Sequence, residues 1–423
     1  MRSARDIAVH VLERVEADGA YAAAALDGEL DRNSSLDARD RALATELAYG
    51  VLRTRGALLR RVEAHAPRGV SDPFALRVLL VAAYQILCLD RIPARAAVSE
   101  AVSSVDRKRG RGVAGFANAV LRKLADSGER LDLADAMRES APSWLLERLE
   151  RAVGRAEAEA LFGIGVRLSE RHARIVPGVA APAWLERAER GKSSPLARLL
   201  PGGDPEKLEG YTSGAFVVQE QGAQLVALAL GARPGERILD ACAGRGQKTS
   251  LLVERVGEHG DVWATDVHRK KLTVLARELE RLRLPGARSA EVDWTRDPDA
   301  VPGGFDRVLV DAPCTGTGTL RRRPEIAFRL KQDDPARLGE LAATILRGAA
   351  SRARSGGRVV FAVCSVLPEE AEGVAASVAD VLEPVPFDAP EVEGLATKSP
   401  AALRLLPLEH GTDGYFVASF VKR

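Results

Sequence analysis

Apolar positions recur every three to four residues through "ARDIAVHVLERV", "RALATELAYGVLRTRGALLRRV", "ALRVLLVAAYQILCL" and "GFANAVLRKLA", the spacing that lines one face of an α-helix. The connections between these runs are short and polar or carry Gly and Pro, as in "APRGVSDP" and "DRIPARA", which end helices. Residues 1–130 are thus predicted to form an all-α helical bundle. Through residues 131–210 the periodicity weakens. One helix is expected over "APSWLLERLERAVGRAEAEALF", followed by Pro- and Gly-rich segments. Trp144, Leu145 and Leu146 need burial, so this stretch reads as a small connecting subdomain rather than a free linker.

Past Tyr211 the pattern changes. Short apolar runs, "RILDAC", "DVWATD", "RSAEVD", "DRVLVDAP" and "RVVFAVCS", alternate with helical patterns such as "KKLTVLARELERLRL" and "ARLGELAATILRGAASRA". Alternation of this kind predicts an α/β domain over residues 211–423, a parallel doubly wound sheet with helices on both faces. Ligands of such sheets sit beyond the carboxyl ends of the strands. The closing "GYFVASFVKR" is expected to add one more strand, at an edge or antiparallel.

Composition narrows the class. Of 423 residues, 46% are hydrophobic and 28% charged, the balance of a folded, soluble protein. Its four cysteines, Cys88, Cys242, Cys314 and Cys364, form no Cys-x-x-Cys pair and lie near no histidine cluster. Neither a disulfide framework nor a metal site is expected. The amino terminus has no long apolar core, so no signal peptide or membrane anchor is expected and the cytoplasm is the default compartment. Cys88 reads as a core thiol.

Charge is unevenly spread. Residues 1–50 hold six Lys/Arg against ten Asp/Glu, and residues 91–123 hold eight against two. The second stretch includes "RKRGR", with Arg107, Lys108, Arg109 and Arg111. This run is either a solvated helix end or a nucleic-acid contact.

"RILDACAGRGQKTSLLVERV" is a strand, a glycine-bearing turn and a helix start, which aims backbone N–H groups at a ligand. Gly244 and Gly246 allow close backbone approach. Asp266, twenty residues after Gly246, is spaced to accept ribose hydroxyls. Asp293 and Asp311 end the next two strands. A P-loop is excluded because Gln247 stands where it needs glycine; a dinucleotide site is less easily set aside, although Thr249 replaces its third glycine. Three strand-end acids fit a nucleoside better than a pyrophosphate, and S-adenosylmethionine carries no phosphate.

The run "RVLV" delivers Asp311, Pro313 and Cys314 to the same sheet edge, and "RVVFAV" delivers Cys364. Two thiols beside a nucleoside site point to methylation of carbon 5 of a pyrimidine, which is too electron-poor to attack a methyl sulfonium unaided. A thiolate adding to carbon 6 makes carbon 5 nucleophilic, and a second thiol can act as base or assist release. A thiol with a pKa near ~8.5 needs an arginine or a helix N-terminus to ionise; "SVLPEE" after Cys364 reads as a helix start. Asp311 can bond the cytosine ring nitrogen or amino group, and Arg321, Arg322 and Arg323 can bind phosphates.

"DAPCTGTGTLRRRPEI", "VCSVLPEE", "LDACAGRGQKT" and "HGTDGYFVASF" together resemble the RsmB (Sun/Fmu) type of ribosomal RNA cytosine-5 methyltransferase. The first 130 residues are similar to the NusB-type RNA-binding domain of that group, and "PSWLLERL" resembles the segment that follows it. The resemblance implies a Rossmann-like catalytic domain, S-adenosylmethionine as cofactor and 16S ribosomal RNA as partner, with a monomer expected. It implies Cys364 as nucleophile and Cys314 as the cysteine that aids release. It also implies Cys242, Ala243, Gly244, Arg245, Gly246, Gln247 and Lys248 as the cofactor loop, with Asp266, Asp293 and Asp311 as cofactor-binding acids. Arg245 replaces the family's proline, Gln247 its glycine, and Val363 the threonine before the cysteine, so cofactor affinity is the property most exposed to these departures. Two alternatives stay open: the same chemistry on transfer RNA or another RNA, and a non-catalytic RNA-binding or assembly factor with a decayed cofactor loop.

Overall fold

Six helices carry the periodic segments of the first third: α1 (Ala4–Ala17), α2 (Ala22–Arg32), α3 (Ala38–Ala64), α4 (Pro73–Cys88), α5 (Ala94–Arg109) and α6 (Arg111–Asp126), followed by α7 (Leu133–Ser140). Their starts are written locally. Ser3 and Asp6 form a reciprocal capping box on α1, and Asp72 caps α4 with Pro73 in its first turn, each satisfying N–H groups that a helix leaves unpaired. Helix α4 is apolar nearly all round and buries Phe74, Val78–Tyr84, Ile86 and Leu87, so it runs through the middle of the bundle. Gly50 on α3 permits this packing, since a Cβ there would lie 2.1 Å from Cζ of Tyr84.

The computed structural model describes residues 2–167, 170–396 and 399–423. It divides into two compact units, one of Met1–Leu146, Phe162–Gly165 and Leu320–Arg329, the other of Glu147–Leu161, Val166–Thr319 and Leu330–Arg423. The helix expected over residues 141–162 is two, α8 (Ser143–Val153) and α9 (Arg155–Leu161), broken at Gly154. That glycine takes φ 83°, a left-handed geometry that ends a helix.

Within the second unit, strands β1 (His172–Ile175), β2 (Ala197–Leu199) and β3 (Phe216–Val218) form a small antiparallel sheet in the order β2-β1-β3, with α10 (Ala183–Glu186) in the connection. The large sheet comprises β4 (Arg237–Asp240), β5 (Asp261–Asp266), β6 (Arg288–Glu291), β7 (Phe305–Asp311), β8 (Ala353–Val363), β9 (Leu382–Pro384), β10 (Ala402–Leu405) and β11 (Tyr415–Lys422). Its order is β10-β11-β8-β7-β4-β5-β6, with β9 paired to β11. Strands β4 to β8 run parallel and β11 runs antiparallel to β8. The closing strand is therefore antiparallel but not an edge, because β10 pairs with its other side.

Helices α11 (Gln221–Ala229), α12 (Gln247–Val256) and α13 (Arg269–Arg281) cover one sheet face, and α15 (Asp334–Ala350) the other; α14 (Ile326–Arg329), α16 (Glu372–Ser377), α17 (Pro390–Glu393) and α18 (Pro407–His410) are short. Alternate residues separate to the two faces. Ile238, Leu309, Val360 and Ala362 join one core, while Leu239, Val308, Val310, Val359 and Phe361 join the other. Burial on both sides explains why these strands read as continuous apolar runs. The chain steps outward through β4, β5 and β6, then returns to β7 and β8 on the opposite side of β4. The order reverses between β4 and β7, where a doubly wound sheet opens a crevice.

Candidate active site

Two loops meet at that reversal. The first leaves β4 at Asp240 and enters α12 at Gln247. Gly244 and Gly246 adopt φ 57° and 87°, which side-chain-bearing residues rarely take. A Cβ on Gly246 would lie 2.6 Å from Cγ of Leu275, whereas one on Gly244 would meet nothing within 4 Å, so the backbone at Gly244 faces open space. Asp266, at the end of β5, accepts from the Gly244 N–H at 3.1 Å and the His268 N–H at 2.8 Å, and Lys271 Nζ lies 3.3 Å away. Lys271 donates to the oxygen that also takes the Gly244 N–H, so the oxygen facing His268 has the acceptor capacity left for a ribose hydroxyl. Asp293 lies two residues past β6, where its carboxylate takes the Thr295 N–H and hydroxyl. These bonds, the hydroxyl's first, lower its pKa. The adjacent Trp294 ties this segment to the loop by donating to Ala241 O at 2.7 Å.

The side chain of Gln247, which stands where the family has glycine, turns away from the loop. Its Nε2 donates to Val218 O of β3 at 3.1 Å. Cys242 packs against the apolar cluster of the α15 face, and burial pushes its pKa up. Arg245 is exposed and Ala243 buried. Asp240, which sequence reasoning left out of the site, is 1% exposed. Burial pushes its pKa up to about 7; one oxygen accepts from Thr249 Oγ1 at 2.7 Å, and the other has no hydrogen-bond partner among the described residues.

Cys314 stands three residues beyond β7 and Cys364 directly after β8. Parallel pairing of the two strands sets Asp311 opposite Ala362, and the two sulfurs lie 3.3 Å apart. The pKa of Cys314 is raised, first by its hydrogen bond to Cys364, then by burial and by the charges of Cys364 and Glu370. Lys248, on the first turn of α12, reaches Asp311 Oδ2 at 2.5 Å. Burial opposes the charge of Lys248, but Asp311, with Asp240 and Cys364, outweighs it and raises the pKa. The helix start expected after Cys364 is absent: residues 368–371 form a turn and α16 begins only at Glu372. The cation near Cys364 is Lys248 instead.

The predicted RNA contacts separate into two groups. Arg107, Lys108 and Arg111 are exposed where α5 ends and α6 begins. Arg109 pairs with Asp72 at 2.6 Å, and Lys108 and Arg109 lie over the Phe74 ring. In the second group, Arg323 is exposed, with its guanidinium 5.3 Å from the Tyr21 ring, and Arg322 is half-buried. Arg321 corrects the expectation: it is 4% exposed, because its segment packs into the helical unit, where Arg53 donates to its carbonyl at 3.1 Å. Also missed were Thr315, Ser365 and Glu370, which bind one another behind the cysteines. The signal for them was the second acid of "PEE", read only as part of a helix start. Among the described residues no group of His, Cys, Asp or Glu is suited to a metal ion, and no helix is long and apolar enough to cross a membrane.

A reversed parallel sheet, an open glycine loop at a helix start and strand-end carboxylates without a phosphate cradle define an S-adenosylmethionine-dependent methyltransferase, and S-adenosylmethionine is the cofactor these residues fit. Residues 227–421 match the family model of the 16S rRNA methyltransferase RsmB/F, and residues 2–126 that of the NusB family. A Mycobacterium tuberculosis protein named only as a methyltransferase is 38% identical, over 98% of this chain and 96% of its own length. The probable ribosomal RNA small subunit methyltransferase B of Bacillus subtilis is 30% identical, over 100% and 99%. The crystal structure of PH0851 shares the fold with a TM-score of 0.84 at 22% identity, covering 100% of this chain and 99% of that one. The chain belongs to the RsmB/F methyltransferase family.

Proposed function

We propose that the protein methylates carbon 5 of a cytosine in 16S ribosomal RNA through a covalent bond between Cys364 and carbon 6. The observation that carries this reading is the pair of sulfurs 3.3 Å apart beside the Lys248–Asp311 pair at the crevice. S-adenosylmethionine supplies an electrophilic methyl group. Its ribose is assigned to Asp266, its adenine to the side of Asp293, and its methionine end to the loop Cys242–Lys248 and the edge of Asp311.

Charge asymmetry divides the roles of the thiols. Lys248 is close enough to Cys364 to feel its charge, whereas Glu370 acts on Cys314. Cys364 is then the sulfur that carries the negative charge and Cys314 the one that donates. The Cys364 thiolate gives its electron pair to carbon 6, and the π pair of the ring shifts to carbon 5, which takes the methyl group that bound S-adenosylmethionine would supply, the pair of the broken S–CH3 bond staying on sulfur in S-adenosylhomocysteine. Asp311 bonds the amino edge of the cytosine while Lys248 opposes the negative charge that builds on the ring. Loss of the carbon 5 proton to a base returns the electron pair, re-forms the ring double bond and expels the thiolate toward the Cys314 S–H.

RNA is assigned to Arg107, Lys108 and Arg111 in the helical unit and to Arg322 and Arg323 on the segment that follows the Cys314 loop. In the test, a Cys314→Ala variant is mixed with unmodified 16S ribosomal RNA and S-adenosylmethionine and run on a denaturing gel. The expected result is protein migrating with RNA, absent when Cys364→Ala is added. Normal methylation by Cys364→Ala alone would refute the mechanism, and preferential methylation of transfer RNA would move the substrate.

A further inference from the structure

Behind the two thiols lies a buried polar cluster that the reaction as described does not use. Glu370 is 0% exposed. Its Oε1 accepts the Thr315 N–H at 2.5 Å, and its Oε2 accepts the Thr315 hydroxyl at 2.6 Å and the Ser365 hydroxyl at 2.5 Å. Thr315 follows Cys314 and Ser365 follows Cys364, so one carboxylate grips the residue next to each sulfur. Thr317 Oγ1 lies 3.0 Å from Ser365 Oγ, and the Gly318 N–H donates to Cys364 O at 3.0 Å. Three donors converge on an acceptor-only group, which describes an ionised carboxylate. Burial raises its pKa, and the bonds from Ser365 and Thr315 oppose that shift. An apolar residue would fill this space without the cost of burying a charge. The carboxylate does what an apolar filler cannot: it ties the two cysteine loops by directed hydrogen bonds.

We infer that Glu370 is a positioning residue that locks the Cys314 and Cys364 loops into one body. It touches neither substrate nor cofactor. Its hydrogen bonds to Thr315 and Ser365 fix the separation of the sulfurs. This inference rests on the two-thiol reading above, but part of it is measurable without RNA.

The test is Glu370→Gln, which keeps the shape, removes the charge and turns one acceptor into a donor. Mass spectrometry after brief treatment with iodoacetamide reads how alkylation divides between Cys314 and Cys364, and steady-state methylation of 16S ribosomal RNA reads kcat and KM. The expected result is a division of label that departs from wild type, kcat lower by on the order of 100-fold, and KM for S-adenosylmethionine within about twofold of wild type, since Asp266 and the glycine loop are untouched. Glu370→Asp, which retains the acceptor oxygens on a side chain one methylene shorter, should recover only part of the rate. Wild-type kcat or a wild-type division of label in Glu370→Gln overturns the inference. If that variant does not fold, Thr315→Val decides alone, because it removes one hydroxyl bond at constant shape and must lower kcat without changing KM. Should Cys364→Ala methylate normally, the two-thiol reaction fails, while the alkylation result still reports the grip of Glu370 on the thiols.

Discussion

The core of the helical unit and the crevice of the catalytic unit treat polar groups in opposite ways. Helix α4 buries eleven apolar side chains and only two polar ones, Arg77 and Gln85. Arg77 pairs with Glu13 and Glu16, its Nε having no partner among the described residues, and Gln85 is matched by Arg5 and the Val81 carbonyl. Beyond the ends of β4, β5, β7 and β8, in contrast, Asp240, Asp266, Thr315, Thr317, Ser365 and Glu370 are all buried. Removing a polar group from water is unfavourable unless it is fully bonded. Helix α4 therefore keeps polar burial to two residues in an apolar surround, whereas the crevice concentrates six, a density that stability alone would discard.

That contrast can be broken by substitution, beginning with the largest effect. Cys364→Ala should reduce methylation of 16S ribosomal RNA by several orders of magnitude, as loss of a covalent nucleophile does, while the urea midpoint stays near wild type. Leu79→Ala, in the centre of α4, should do the reverse. It removes a fully buried side chain and should cost about 2–5 kcal/mol of unfolding free energy, read as a lower urea midpoint, with turnover per folded molecule unchanged. Equal loss of activity in both variants would erase the distinction.

Asp240→Asn isolates the charge that stability opposes. With the folded pKa pushed up to about 7 against ~3.9 unfolded, the folded state holds the extra proton between those values. The contribution of Asp240 to stability therefore falls as pH rises through this window and levels off above about 7. The amide oxygen can still accept from Thr249. Thermal unfolding from pH ~4 to ~8 should show the variant gaining on wild type until about 7 and holding that lead beyond; parallel curves would refute the assignment. The smallest effect is expected from Gln247→Gly. One hydrogen bond to Val218 is worth about 0.5–1.5 kcal/mol, so thermal stability should drop slightly. Affinity for S-adenosylmethionine, read by calorimetry, should stay within about threefold, because the side chain is held by Val218 O of β3. A large gain in affinity would mean that Gln247 does obstruct the loop.

The sequence by itself determined whatever depends on a dozen neighbouring residues. Helix period, caps and the alternation of strand and helix are local, because backbone geometry repeats over one or two turns or a few pleats. So the helical first third, the glycine loop with Asp266, and Asp311, Cys314 and Cys364 at strand ends were legible, and the specific motifs around both cysteines carried the family. Tertiary structure decided the rest. Cys314 and Cys364 are fifty residues apart in the chain, and their 3.3 Å contact exists because β7 and β8 pair in parallel with Asp311 beside Ala362. The position of β11 inside the sheet, the burial of Arg321, the turn of Gln247 toward β3 and the reach of Lys248 to Asp311 all depend on partners distant in sequence. Glu370 shows the reason most plainly. The second acid of "PEE" is the one mark it leaves in the sequence, and only the meeting of two loops supplies the three donors that make its charge tolerable in the interior.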